Sequence, residues 1–232
     1  MSTLRDALCL HAQCGDLKFL NPVRNRLAKL LGSKFRSYEL ADQASHAAGL
    51  LALRQASNSF VVIFAHGSGD YLRGGGYISR ITGEVIEVER FITRKDLAAF
   101  ERKVIFCMSC DSDELAEASL AAGAIAFVGF GQILFNRFNA AEEPTGSYVL
   151  VKHCQEKLIA PAITAALERF VTGRSNLEES IDYLRLWITK SAVSYVEEYT
   201  SVKERREMAA LFLRMKEGIR YHGPRGIRFQ IT

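Results

Sequence analysis

Phe60-Val61-Val62-Ile63-Phe64-Ala65-His66-Gly67 is the stretch that decides the fold. Six apolar residues run without a break and stop at a histidine and a glycine. Alternation would mark a strand with one wet face. An unbroken run marks a parallel strand covered on both faces. The pattern recurs at Val104-Ile105-Phe106-Cys107-Met108, which stops at Ser109-Cys110-Asp111-Ser112. It recurs again at Ala124 to Phe130, which stops at Gly131-Gln132.

Helical patterns separate these runs. Residues 7–13 read as a short strand. Asn21-Pro22 opens a helix that runs to about Leu31, with proline in its first turn and Gly32 at its end. Phe35 to Leu40 reads as a strand, and Ala41 to Ala56 as a helix. Residues 71–92 carry Gly74-Gly75-Gly76 and Thr82-Gly83 and read as a hairpin excursion. The glycine triplet lacks the Lys-Ser/Thr and strand-to-helix context of a phosphate loop. Thr93-Arg94-Lys95-Asp96 has the form of a capping box before a helix to about Arg102. Asp113 to Ala122 reads as a helix closed by Gly123. The pattern is helical from Gly146 to Phe170 with an interruption at Pro161, then over Asn176–Tyr199 and Val202–Gly218. Gly226 to Ile231 alternates like a closing strand.

Strands alternating with helices predict an α/β fold: a three-layer sandwich with a mostly parallel central sheet and helices on both faces. The chain reads as one domain over residues 1–232, with a mainly helical C-terminal part over 146–220. Apolar residues make up 48% of it, enough for a sizeable core.

The formal charge is +4, and acids interrupt the basic residues. Lys203, Arg205 and Arg206 alternate with Glu204 and Glu207, as on a solvated helix face. Aromatic residues do not interleave a basic stripe, so nucleic acid is not an expected partner. The first residues lack the pattern of a signal peptide. The longest apolar stretches, such as Ala121 to Phe130, fall short of the ~20 residues that span a bilayer. The expectation is a cytoplasmic protein with no membrane partner. Five cysteines (Cys9, Cys14, Cys107, Cys110, Cys154) without framework spacing read as thiols, one of them a candidate nucleophile.

In parallel sheets, chemistry gathers at the carboxyl ends of the strands. His66 and Cys110 each end a strong run, and neighbouring strands lie ~5 Å apart. A thiol with a pKa of ~8.5 is mostly protonated at neutral pH. An adjacent imidazole would take its proton, and a following helix would favour the thiolate. The backbone N–H groups of Gly67 and Cys110 are candidates for an oxyanion hole.

This constellation resembles the caspase-like cysteine peptidases, the CHAT family among them, over about residues 58–135. The matching motifs are Phe64-Ala65-His66-Gly67, Ile92-Thr93-Arg94-Lys95-Asp96-Leu97, Ser109-Cys110-Asp111-Ser112 and Gly123 to Gly129, in that order. Tyr221-His222-Gly223-Pro224 stands where the family has a Gly-Asp-Pro turn before its last strand, and departs from it. The resemblance implies an endopeptidase with His66 as general base and acid and Cys110 as nucleophile. It implies a dyad, with no carboxylate required and no cofactor or metal. Asp70, Asp111, Gly131 and Gln132 would border the substrate, and Asp70, Asp111 and Asp113 would suit a basic side chain before the scissile bond. The partner implied is a protein or peptide substrate. In bacteria this family often supplies regulated proteases of stress or antiphage defence, and the helical C-terminal part leaves room for an activating protein partner.

Other readings stand beside this one. His66 alone would read as a structural histidine. Cys107 and Cys110 form a Cys-x-x-Cys, which could be a redox pair or half a zinc site, but Cys107 lies inside an apolar strand, unlike a redox pair at a helix start, and no second close pair completes a zinc site. Cys107 reads as a buried small apolar residue. His11 ends the first strand and reads as core or edge. A silent caspase-like scaffold, and a cysteine hydrolase acting on small amides, are the alternative functions.

Overall fold

The computed structural model describes residues 3–75, 90–133, 147–198 and 205–230. In chain order the elements begin with β1 (Thr3–Leu4), β2 (Ala7–Ala12), α1 (Asn21–Leu31), β3 (Phe35–Leu40) and α2 (Gln43–Gln55). Then come β4 (Phe60–Phe64), β5 (His66–Ser68), β6 (Tyr71–Arg73), β7 (Arg90–Thr93) and β8 (Val104–Met108). They continue with α3 (Ala116–Ala121), β9 (Ala126–Gly129), α4 (Ser147–Cys154), α5 (Ala160–Val171), α6 (Leu177–Glu198) and α7 (Arg205–Gly218). β10 (Arg220–His222) and β11 (Arg228–Phe229) finish the described chain.

Six strands form one sheet in the order β10-β9-β8-β4-β2-β3. All its pairings are parallel except that of β10 with β9. β2, β4, β8 and β9 are buried throughout, which is why their sequences are apolar runs, broken in β2 by His11 alone. β3 lies at one edge and exposes Arg36, Ser37 and Glu39, charges and polarity that discourage further strand pairing.

The helices form two groups. α1 packs on α5, α5 on α6, and α6 on α7. α2 packs against the 3-10 segment Arg94–Phe100, which in turn meets α3. The first group is tied to the sheet through Phe170 of α5, whose ring meets that of Phe60 edge-on at 4.9 Å. The second is tied through Phe100, 6.2 Å from Phe127. A mostly parallel sheet flanked by helices fits a three-layer sandwich.

Local signals explain most boundaries. Asp42 accepts from the Ser45 N–H while Ser45 Oγ accepts from the Asp42 N–H, so α2 starts at a capping box. Thr93 and Asp96 make the expected box, but the residues behind it wind as a 3-10 helix. Pro161 does not break the C-terminal helical stretch. It sits in the first turn of α5, behind a π-helical turn over Gln155–Ile159. Proline has no N–H for the residue four back, and a π turn shifts the hydrogen-bond register just there.

The end of the chain departs from expectation. The tail contributes only β11, paired with β1 apart from the main sheet. The strand that closes the main sheet is β10, inside the segment whose sequence reads as a turn. Three residues give too short a pattern to declare themselves. The turns expected at Gly76 and at Thr82-Gly83 lie outside the described residues, as do Lys203 and Glu204. Among the described residues no helix is long and apolar enough to cross a membrane.

Candidate active site

The carboxyl ends of β2, β4, β8 and β9 lie side by side along one rim. β4 and β8 are paired with Phe64 opposite Met108, and the Ala65 N–H donates to the Met108 carbonyl at 3.3 Å. His66 and Cys110 therefore leave the sheet from adjoining strands, two positions beyond the last matched pair. The next residues stay close: a Cβ added at Gly67 would fall 2.4 Å from Ser109 Oγ.

His66 also begins a second, small sheet, in which β5 pairs antiparallel with β6 and β6 with β7. Leu72 and Ile92 anchor that sheet in the core. The His66 backbone is thus held by a strand end on one side and a hairpin on the other.

Cys110 sits on a sharp turn. Asp111 behind it has a left-handed backbone (φ +54°), which Asp tolerates better than most residues. Ser112 Oγ donates to the Cys107 carbonyl at 2.7 Å and accepts from the Phe130 N–H at 3.0 Å. The Asp111 N–H donates to the Gly131 carbonyl and the Asp113 N–H to the Phe130 carbonyl. The turn is thereby laced to the end of β9. Gly129 permits this approach, since a Cβ there would meet the Asp113 Cα at 2.4 Å. The Cys110 thiol makes a weak contact with the Ile133 carbonyl, 3.9 Å away. The helix expected after Cys110 is shorter than the sequence implies. Ser112–Leu115 is a 3-10 turn, and the six-residue α3 follows. So short a helix, with Asp113 and Glu114 in its first turn, gives Cys110 little of the dipole that a long helix would.

Burial separates Cys9, Cys107 and Cys154 from Cys110. It pushes the thiols of Cys9 and Cys107 up to about 12 and that of Cys154 up to about 11. Cys14 is raised as well, by burial and then by the charge and hydrogen bond of Asp16. None of these four supplies a thiolate at neutral pH. Cys110 is half-buried on the rim.

The residue missing from the sequence reading is Asp16. His66 Nε2 lies 3.0 Å from its carboxylate, and both side chains are about three-tenths exposed. Burial alone would raise the Asp16 carboxyl. The hydrogen bond and charge of His66, with help from the Cys14 thiol and Asp16's own backbone amide, outweigh it and hold the carboxyl below its ordinary range. Asp16 follows β2, and β2 is paired with β4. From β2 the chain leaves through α1, which packs with α5. β3 returns to β4 through α2, which packs with the other helical group. The β2–β4 boundary is therefore the point where the connections diverge, the place where open α/β sheets form their crevice. The strand-end rule applied to β2 would have named Gln13 to Asp16 as rim residues. That β2 neighbours β4 is not visible in the sequence.

The expected substrate-side residues divide into two groups. Asp111, Gly131 and Gln132 lie together beside Cys110, with Gln132 Nε2 donating to both Asp111 oxygens at 2.8 and 2.6 Å. The Gly131 N–H donates to the Gly218 carbonyl, which docks the end of α7 on this loop. Asp70 stands apart, its carboxylate held by Arg94 at 2.9 Å and its side chain largely exposed. Asp113 accepts from His222 Nε2 at 2.6 Å and is approached by Arg220 at 3.5 Å, so β10 is pinned to the Cys110 turn. His11 is core: its ring stands edge-on to Phe64 at 5.3 Å and contacts the Leu17 carbonyl at 3.2 Å.

The chain matches no protein-family model, and no curated protein matches it significantly.

Proposed function

We propose that the chain is a caspase-like cysteine endopeptidase in which His66 and Cys110 do the chemistry and Asp16 positions the imidazole. The observation that carries this reading is the placement of His66 and Cys110 at the ends of two paired parallel strands, on one rim. The carboxylate of Asp16 accepts a proton donor at His66 Nε2. That contact favours the tautomer whose unprotonated nitrogen is Nδ1, the form a general base needs.

In this mechanism His66 Nδ1 takes the Cys110 thiol proton. The sulfur attacks the scissile carbonyl, and the N–H groups of Cys110 and Gly67 receive the developing oxyanion. The imidazolium gives its proton to the leaving amine, and a thioester remains on Cys110. Water, deprotonated by His66, attacks the thioester. The acid product leaves and the thiol is restored.

Specificity follows from which acids are already engaged. Asp113 is paired with His222 and Arg220, and Asp70 with Arg94. Asp111, shared with Gln132, is the carboxylate of the three that stands next to Cys110 and favours a basic residue before the scissile bond. A regulated role in bacterial stress or antiphage defence belongs to the same reading and rests on the resemblance over residues 58–135.

The test is a panel of fluorogenic peptides with Arg, Lys or Asp before the reporter, run on the wild type and on Cys110→Ala. The expected result is turnover of Arg or Lys peptides that disappears in the variant. Turnover that survives Cys110→Ala rules the mechanism out.

A further inference from the structure

Cys14, Asp16 and His66 offer one sulfur, one carboxylate oxygen and one imidazole nitrogen, all within 4.8 Å of one another and all on half-buried residues. They come from two chain segments. Cys14 and Asp16 lie in the short turn behind β2, where the Leu17 N–H donates to the Cys14 carbonyl at 3.2 Å. His66 comes from the end of β4. The peptidase chemistry has no use for Cys14.

We infer that this cluster is a binding site for a thiophilic divalent cation of the Zn²⁺ class, with Cys14 Sγ, Asp16 and His66 Nε2 as its three protein ligands. Zinc takes sulfur at ~2.3 Å and nitrogen or oxygen at ~2.0–2.2 Å, so a tetrahedral ion holds its ligand atoms ~3.3–3.6 Å apart. The His66–Asp16 separation of 3.0 Å needs to open by only a few tenths of an ångström to admit the ion. The thiol must approach within the 4.8 Å that already contains it. On binding, the Cys14 S–H bond breaks, an S–Zn bond forms, and the proton leaves to solvent. The proton that His66 Nε2 gives to the Asp16 contact moves to Nδ1, so that Nε2 of the still neutral imidazole and the Asp16 carboxylate bind through lone pairs. A mixed sulfur, nitrogen and oxygen set excludes the hard cations, which take oxygen. Three protein ligands leave a fourth position open to water.

The consequence for activity rests on the peptidase reading. An ion on His66 Nε2 breaks the contact with Asp16 and makes the ring a metal ligand. The ring then cannot carry a proton between thiol and leaving group, so the occupied site holds the enzyme off and removal of the ion restores it.

Cobalt(II) chloride tests the site on the full chain carrying Cys110→Ala, which removes the other rim thiol. The expected result is a sulfur-to-cobalt charge-transfer band in the near ultraviolet with strong visible bands of a tetrahedral ion, bleached by zinc chloride. Cys14→Ser should abolish the charge-transfer band. It should weaken cobalt binding at least about a hundredfold, because even outer-shell partners of a metal are worth about 10–100-fold. Asp16→Asn, shown folded by circular dichroism, should weaken it too. A band that persists in Cys14→Ser, a band that needs Cys110, or no band in the folded protein overturns the site. Occupancy is read from the spectrum and not from turnover. A chain that cleaves no peptide yet shows the Cys14-dependent band therefore overturns the function and leaves the site standing.

Discussion

His66 Nε2 and the Asp16 carboxylate meet at 3.0 Å across the β2–β4 boundary, fifty residues apart in the chain. The contact orders the imidazole from the side of β2 while the Cys110 turn approaches from β8. In the proposed mechanism it adds a carboxylate, as orienter, to the expected pair.

Asp16→Asn keeps the size of the side chain and removes its charge, so both ring tautomers become accessible. The expected loss is about 10–100-fold in kcat with KM little changed, part of the ~10²–10⁴ that general acid–base catalysis supplies. Asp16→Glu should recover some of it. Separate kcat and KM values across a pH series are the measurement, and an Asn variant with wild-type kcat removes Asp16 from the mechanism.

His11 gives the fold a pH dependence. Burial lowers its pKa from the ordinary 6.5 to about 4; the Arg24 charge adds to the effect, and the Leu17 carbonyl and Glu39 oppose it. The folded protein thus keeps His11 neutral where the unfolded chain protonates it. The stability this neutral ring contributes is complete above pH 6.5 and is lost as pH falls from there toward 4. The loss amounts to about 3 kcal/mol at the lower limit. Urea unfolding between pH 7 and 4 should show this slope in the wild type and a shallower one in His11→Gln.

Gly67→Ala tests the crowding beside the base. The new Cβ would lie 2.4 Å from Ser109 Oγ and 2.7 Å from the Tyr71 carbonyl. The hydroxyl can rotate away, but the carbonyl belongs to the hairpin strand β6 and cannot. The expected cost is about 1–3 kcal/mol of stability, as for other overpacked sites. Because His66 is the adjacent residue, peptide turnover should fall more than the folded fraction does. Thermal unfolding and kcat measured on the same samples separate the two effects.

Phe170→Ala removes the ring that joins α5 to the sheet through Phe60 and that also meets Phe229 at 6.1 Å. Both Phe60 and Phe170 are fully buried, so the cavity should cost about 3–5 kcal/mol. A denaturant midpoint within error of the wild type would contradict the packing of α5 on this face.

The legible parts of the molecule are those written in short windows. The runs at 60–65 and 104–108 identify buried strands because both their faces must be apolar. His66 and Cys110 stand out because each ends such a run. Cys107 reads as core for the same reason and is fully buried. The helix expected behind Cys110 was less legible, since residues able to form an α-helix wind as 3-10 over Ser112–Leu115 while Ser112 bonds the ends of β8 and β9. β10 was hidden because three residues carry no period and its partner, Phe127–Gly129, lies far upstream.

By itself the sequence determined which segments become the buried central strands, and that an imidazole and a thiol stand at strand ends, because hydrophobic period and chain breaks act over neighbouring residues. Only the tertiary structure decided the order of the strands. That order brought Asp16 and Cys14 to His66, gave Asp113 to His222, and left Asp111 with Gln132 beside Cys110. These pairings join residues far apart in the chain, and they are selected by how whole layers bury their surfaces, a choice that short stretches of sequence do not encode.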